Sequence, residues 1–110
     1  RSRIVEDIRS YAADVDADLD SAIHQYANEL CDSSRDNIYH VMEQTKTLVQ
    51  WCASPSVKCL IVLKMLRRAL VSVQRPPDLT LLAKEAISMA ADDSVKSELE
   101  EATRLLAIDS

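Results

Sequence analysis

Apolar side chains recur at intervals of three and four along nearly the whole chain. From about residue 3 to 31 they fall at Ile4, Ile8, Tyr11, Val15, Leu19, Ala22, Tyr26 and Leu30, with Ala12 and Ile23 widening the stripe. Such spacing belongs to a helix with one buried face, and a rise of about 1.5 Å per residue predicts an unbroken rod of roughly 40 Å. A second helix is expected after Asp32, with Ser33 or Ser34 as its N-cap and Ile38, Val41, Met42, Thr45, Leu48, Val49 and Cys52 on its inner face. Ser54 then caps a third helix with Pro55 at its first position, where a missing amide costs nothing. This helix, about 55 to 74, is apolar over most of its circumference (Val57, Leu60 to Leu63, Met65, Leu66, Leu70, Val71, Val73) and is expected at the centre of the fold.

The firmest break is Gln74-Arg75-Pro76-Pro77-Asp78, because two prolines cannot continue a helix and also restrict the residue before them. Beyond it a fourth helix is read over about 78 to 91. A fifth runs over about 94 to 108, capped by Asp92 and Asp93. The pattern contains no strand. Short links make helical neighbours antiparallel, so the expected fold is all-α, with five antiparallel helices in one domain spanning residues 1–110.

Composition narrows the function. The chain has no glycine, so phosphate-cradling loops, dinucleotide fingerprints and nucleophile elbows lack the residue their sharp turns require. With no Phe and only three Tyr and one Trp, the core must come from Leu, Ile, Val, Ala and Met. That is a helical palette. Cys31, Cys52 and Cys59 are odd in number and not at metal-ligand spacing, which suits a reducing intracellular compartment, cytoplasmic or nuclear. The first residue is Arg1 rather than Met, and the chain is expected to be a piece of a larger protein. The most apolar run, Cys59 to Leu63, is flanked by Lys58 and Lys64 and falls far short of the roughly 20 residues a bilayer requires.

The stretch Asp14-Val15-Asp16-Ala17-Asp18-Leu19-Asp20 has the alternate aspartates of a calcium loop. Such a loop needs glycine at its sixth place and a bidentate glutamate at its twelfth, where this chain has Leu19 and Gln25. On the expected helix the four carboxylates fan around the cylinder, with Asp14, Asp16 and Asp20 wet and Asp18 at the stripe's edge. No metal or other cofactor is expected. His24 and His40 are the only imidazoles, and a Cys–His nucleophile pair would lack an oxyanion-hole loop. The chain is read as non-catalytic.

Self-comparison reveals a repeat. Ala53-Ser54-Pro55-Ser56-Val57-Lys58 and Ala91-Asp92-Asp93-Ser94-Val95-Lys96 align at an offset of 38 residues. The same offset sets Val41 against Leu79, Thr45 against Ala83, Leu48 against Ala86, Val49 against Ile87 and Cys52 against Ala90. Residues 34–74 and 78–108 thus read as two copies of one helix pair, with the long first helix over one end. A small or acidic turn followed by Ser-Val-Lys resembles the opening of the second helix in HEAT and armadillo-type repeats, over residues 34–108. The resemblance implies a scaffold that binds protein partners along a groove or ridge. In the second copy Glu98 stands opposite Leu60 and Glu101 opposite Leu63, a departure that a terminal repeat with a polar outer face would explain. A plain four- or five-helix bundle is the alternative architecture.

Charge is blocked along the chain, although the net is only −5. Residues 1–32 hold three basic and eight acidic side chains, residues 55–77 five basic and none acidic, and residues 78–110 three basic and eight acidic. Lys64, Arg67, Arg68 and Arg75 have the spacing of one stripe on the third helix. Either the stripe is solvated or tied to neighbouring acidic helices, or it recognises an acidic peptide segment of a partner protein. RNA or phosphate binding is disfavoured, because the acidic flanks repel phosphate and no aromatic platform lies beside the cations. Trp51 is the best candidate anchor for a partner. The partner-binding set is therefore Trp51, Lys64, Arg67, Arg68 and Arg75, and self-association as a homodimer through helix 3–31 is a further alternative.

Overall fold

Residues 4–14, 17–33 and 37–109 are described in a computed structural model, and these residues form six α-helices. They are α1 (Ile4–Asp14), α2 (Leu19–Ser33), α3 (Ile38–Trp51), α4 (Pro55–Leu70), α5 (Leu79–Met89) and α6 (Asp93–Asp109). The described residues contain no strand. No helix among them is long and apolar enough to cross a membrane.

In place of the rod expected over 3–31, the described residues form two helices packed on each other, which makes six helices among them where five were expected. The break is made by side-chain and backbone chemistry that the apolar stripe does not reveal. Asp18 turns its carboxylate onto the start of α2, accepting from the Ser21 amide at 2.8 Å and the Ser21 hydroxyl at 3.0 Å. The Ala17 amide donates back to the Ala12 carbonyl at 2.9 Å and closes α1. Folding the stripe on itself buries both halves: Ile4, Val5, Ile8 and Ala12 from α1 share one core with Ala22, Ile23, Ala27 and Leu30 from α2. Ile4, Ile8, Ala12, Ala22, Ile23 and Leu30 of the stripe on which dimerisation through helix 3–31 depended are thereby buried within the chain. Val15 and Asp16, which the sequence placed on that rod, lie outside the described residues.

The start of α3 also differs from expectation. Ser33 is the last residue of α2, Ser34 lies outside the described residues, and the N-cap is Asn37, whose Oδ1 accepts from the Tyr39 amide at 2.7 Å. The next turn is as read: Ser54 Oγ accepts from the Val57 amide at 3.3 Å and Pro55 occupies the first turn. α4 stops at Leu70 rather than 74, and Val73 beyond it is fully exposed. Arg75 secures that end, donating from Nη1 to the carbonyls of Ala69 (2.7 Å), Gln74 (3.3 Å) and Ser72. The guanidinium adds a charged donor at the helix end, where the Ser72 amide already donates to the Ala69 carbonyl at 3.0 Å.

α4 is the central helix that its apolar circumference predicted. It packs against α2, α3, α5 and α6, and buries Cys59, Ile61, Val62, Leu63, Met65, Leu66 and Ala69. α2, α4 and α6 form one layer. α1 packs on α2 and α3, α3 also on α2 and α4, and α5 on α4 and α6, while an ion pair from Lys46 to Asp78 at 3.2 Å spans from α3 to the start of α5.

Burial follows the 38-residue offset at most of the aligned positions. Val41 and Leu79, Thr45 and Ala83, and Leu48 and Ala86 are buried in pairs, while Val49 and Ile87 are both half-buried. Only Cys52 and Ala90 differ, the first buried and the second half-buried. Asp92 does for α6 what Ser54 does for α4, accepting at 3.1 Å from the Val95 amide. The Lys58 amide donates to the Ser54 carbonyl at 3.0 Å, and the Lys96 amide to that of Asp92 at 2.9 Å. Asp18 repeats the arrangement a third time, since the Ala22 amide donates to its carbonyl at 3.1 Å. Caps thus stand at 18, 54 and 92, each on the second helix of a pair.

Candidate functional site: the basic face of the central helix

Lys64, Arg67 and Arg68 sit at i, i+3 and i+4 on α4 and so share one face of that helix. Because α4 is the middle of its layer, this face lies between α2 and α6, both acidic. Lys64 Nζ pairs with Asp32 Oδ1 of α2 at 2.7 Å, and Arg67 Nη2 with Glu98 Oε1 of α6 at 2.6 Å. All four side chains are at least a third exposed. Pairs in such contact with water stabilise weakly, so a partner's carboxylate can replace Asp32 or Glu98 at little cost.

Two concavities flank Arg67. One, of about 500 Å³, is lined by Cys31, Asp32, Lys64, Arg67, Arg68 and Val71. The other, of about 360 Å³, lies toward α6 and includes Leu70, Glu98, Glu101 and Leu105. Arg67 is the wall common to both, with its side chain 55% exposed. Val71, 81% exposed, adds an uncovered apolar surface beside the cations. The face can therefore offer charge at its centre and aliphatic contact at its margins.

The other members of the expected set are placed elsewhere. Arg75 lies past the end of α4 and is committed to the carbonyls of that terminus. Trp51 ends α3, lines neither concavity, and is 47% exposed with the Arg9 guanidinium of α1 stacked 4.8 Å from its ring centroid. The structure thus keeps Lys64, Arg67 and Arg68 together and separates Trp51 and Arg75 from them.

Asp20 is the residue whose role the sequence most concealed. Expected to be wet, it is half-buried, and its two carboxylate oxygens accept from the Ala53 amide at 2.9 Å and the Ser54 amide at 2.8 Å. The carboxylate thus fastens α2 to the turn between α3 and α4. The Ala53 hydrogen bond, joined by that from Ser54, outweighs desolvation and holds its pKa below the ordinary 3.8. An acidic residue in the first turn after Asp18 is a helix-start signal, and it could have revealed the break. Its partners, 33 and 34 residues away, left no local mark.

The thiols are poorly suited to chemistry. Burial pushes Cys31 up to about 11 against the opposing charges of Lys64 and Arg68, and Cys52 up to about 11 with help from the Asp20 carboxylate. Cys59 is raised by burial and donates to the Ala86 carbonyl at 3.3 Å. Thiols so shifted are not thiolate at neutral pH and behave as small apolar fillers. Among the described residues no three His, Cys, Asp or Glu side chains converge as a metal site. No protein-family profile, no curated protein and no solved structure matches the chain.

Proposed function

We propose that the chain is a non-catalytic protein-interaction module of a larger intracellular protein, built as a HEAT-like stack of three helix pairs. Its α4 face recognises an acidic segment that also carries aliphatic side chains. The recurrence of one capping arrangement at Asp18, Ser54 and Asp92 supports the stack. The observation that carries the binding reading is Arg67, exposed between two concavities at the centre of the α2–α4–α6 layer. Carboxylates already rest on Lys64 and Arg67, which makes a carboxylate-bearing peptide a natural competitor and a polyphosphate a repelled one. Three buried cysteines without a disulfide suit a reducing compartment, cytoplasmic or nuclear.

The test is site-specific photo-crosslinking from Val71 in cells. A discrete adduct with a protein containing an acidic segment is expected, lost in Arg67→Glu and kept in Trp51→Ala. Circular dichroism should show equal helicity in all three proteins. An adduct indifferent to Arg67→Glu would sink the reading, and an adduct with RNA would replace it.

A further inference from the structure

The cleft between α1 and α2 has a chemistry opposite to that of the α4 face. It encloses about 260 Å³ and is lined by Asp7, Ile8, Tyr11, Ala22, Gln25, Tyr26 and Glu29. Ile8 and Ala22 are buried, Tyr26 is half-buried and Tyr11 is 45% exposed. Asp7 on α1 and Glu29 on α2 stand exposed at the cleft, and Gln25 Nε2 donates to Glu29 Oε2 at 3.2 Å, which restrains that carboxylate. None of the described ion pairs uses Asp7 or Glu29.

The volume lies just below the roughly 300–1,000 Å³ of pockets that take whole small molecules, and suits one inserted side chain. An apolar floor accepts a methylene stem. Phenol rings present electron-rich faces to a cation, and two carboxylates complete the attraction. The surrounding block, residues 1–32, carries eight acidic against three basic residues and draws cations toward the cleft. A lysine, with a compact ammonium on a long aliphatic stem, matches each feature. We propose that the α1–α2 cleft receives a lysine side chain presented by a protein partner, a site separate from the α4 face and independent of its reading.

The experiment titrates the full chain, by NMR, with two blocked pentapeptides, Ala-Leu-Lys-Leu-Ala and the same sequence with norleucine in place of lysine. The lysine peptide should shift the ring signals of Tyr11 and Tyr26 and the Ala22 amide. It should bind roughly three- to fivefold more tightly than its neutral counterpart. Asp7→Asn combined with Glu29→Gln, both at exposed positions, should narrow the lysine peptide's advantage over the norleucine peptide while leaving norleucine binding unchanged. Arg67→Glu should leave both titrations as they are, which separates this site from the α4 face. Equal affinity for the two peptides, shifts clustered away from the tyrosines, or no shifts at millimolar peptide would each overturn the proposal.

Discussion

The α3–α4 and α5–α6 pairs begin alike and end differently. Their first helices bury matching positions, and their second helices open with the same capped turn. Thereafter α4 buries seven hydrophobic side chains around its circumference, whereas α6 buries Leu99, Ala102 and Leu106 along one face. The reason is position: α4 has α2 on one side and α6 on the other, and α6 has only α4 in its layer. Glu98, Glu100, Glu101 and Arg104 accordingly stand where α4 has Leu60, Val62, Leu63 and Leu66. A turn is specified by a few adjacent residues. How deep the following helix lies depends on how many neighbours it has.

The largest expected effect tests that contrast directly. Leu66→Ala, at a fully buried position of α4, should cost about 3–5 kcal/mol in urea unfolding, whereas Leu106→Ala on α6, 9% exposed, should cost about 1–2 kcal/mol. Comparable losses would mean that α6 is as enclosed as α4.

The next effect belongs to the first turn alone. Asp20 braces Ala53 and Ser54 from α2, while at the second turn the corresponding position is Ser56, which borders Ala90, Ala91 and Asp92 and carries no charge. Asp20→Ala should cost about 1–2 kcal/mol at pH 7 through lost charged hydrogen bonds. Since the folded pKa of Asp20 is depressed, its contribution is complete above the ordinary value of 3.8 and disappears as pH falls through the lower folded value. Wild type and variant should therefore converge in stability in acid. A constant gap between them from pH 7 to pH 2 would contradict the ionised latch.

Smaller changes probe what the two pairs share. Ser54→Ala and Asp92→Ala should each cost about 1 kcal/mol, the usual scale of an N-cap. A tenfold disparity in their equilibrium effects would argue against equivalent turns. Finally, Thr45 and Ala83 are buried counterparts, yet the Thr45 hydroxyl has no hydrogen-bond partner among the described residues. Thr45→Val should raise stability by about 1 kcal/mol, because it removes an unsatisfied polar atom at nearly constant volume. Destabilisation by the same substitution would imply a partner for that hydroxyl.

Much of the candidate face was legible in the residues themselves. Lys64, Arg67 and Arg68 share a side of a helix by spacing alone, and the acidic blocks announced where their counter-charges would come from. Arg75 was misplaced because its spacing was extrapolated beyond Leu70, where the helix stops and the guanidinium turns back onto the carbonyls of the helix end. The α1–α2 cleft was hidden for a different reason. An apolar stripe at helical spacing has the same appearance in one long helix and in two helices of matching phase, and the Asp18 cap with Asp20 in the turn after it was the local hint.

By itself, then, the sequence determined what depends on neighbours along the chain: helical class, the turns at Ser54-Pro55 and Pro76-Pro77, the central place of α4 and the 38-residue correspondence. Tertiary structure decided what depends on neighbours in space. It folded residues 4–33 into a pair, since a domain of this size buries both halves of that stripe only by doubling it back. It also carried Asp20 to amides 33 and 34 residues away, turning a carboxylate in an apparent acidic belt into the fastening between two helix pairs.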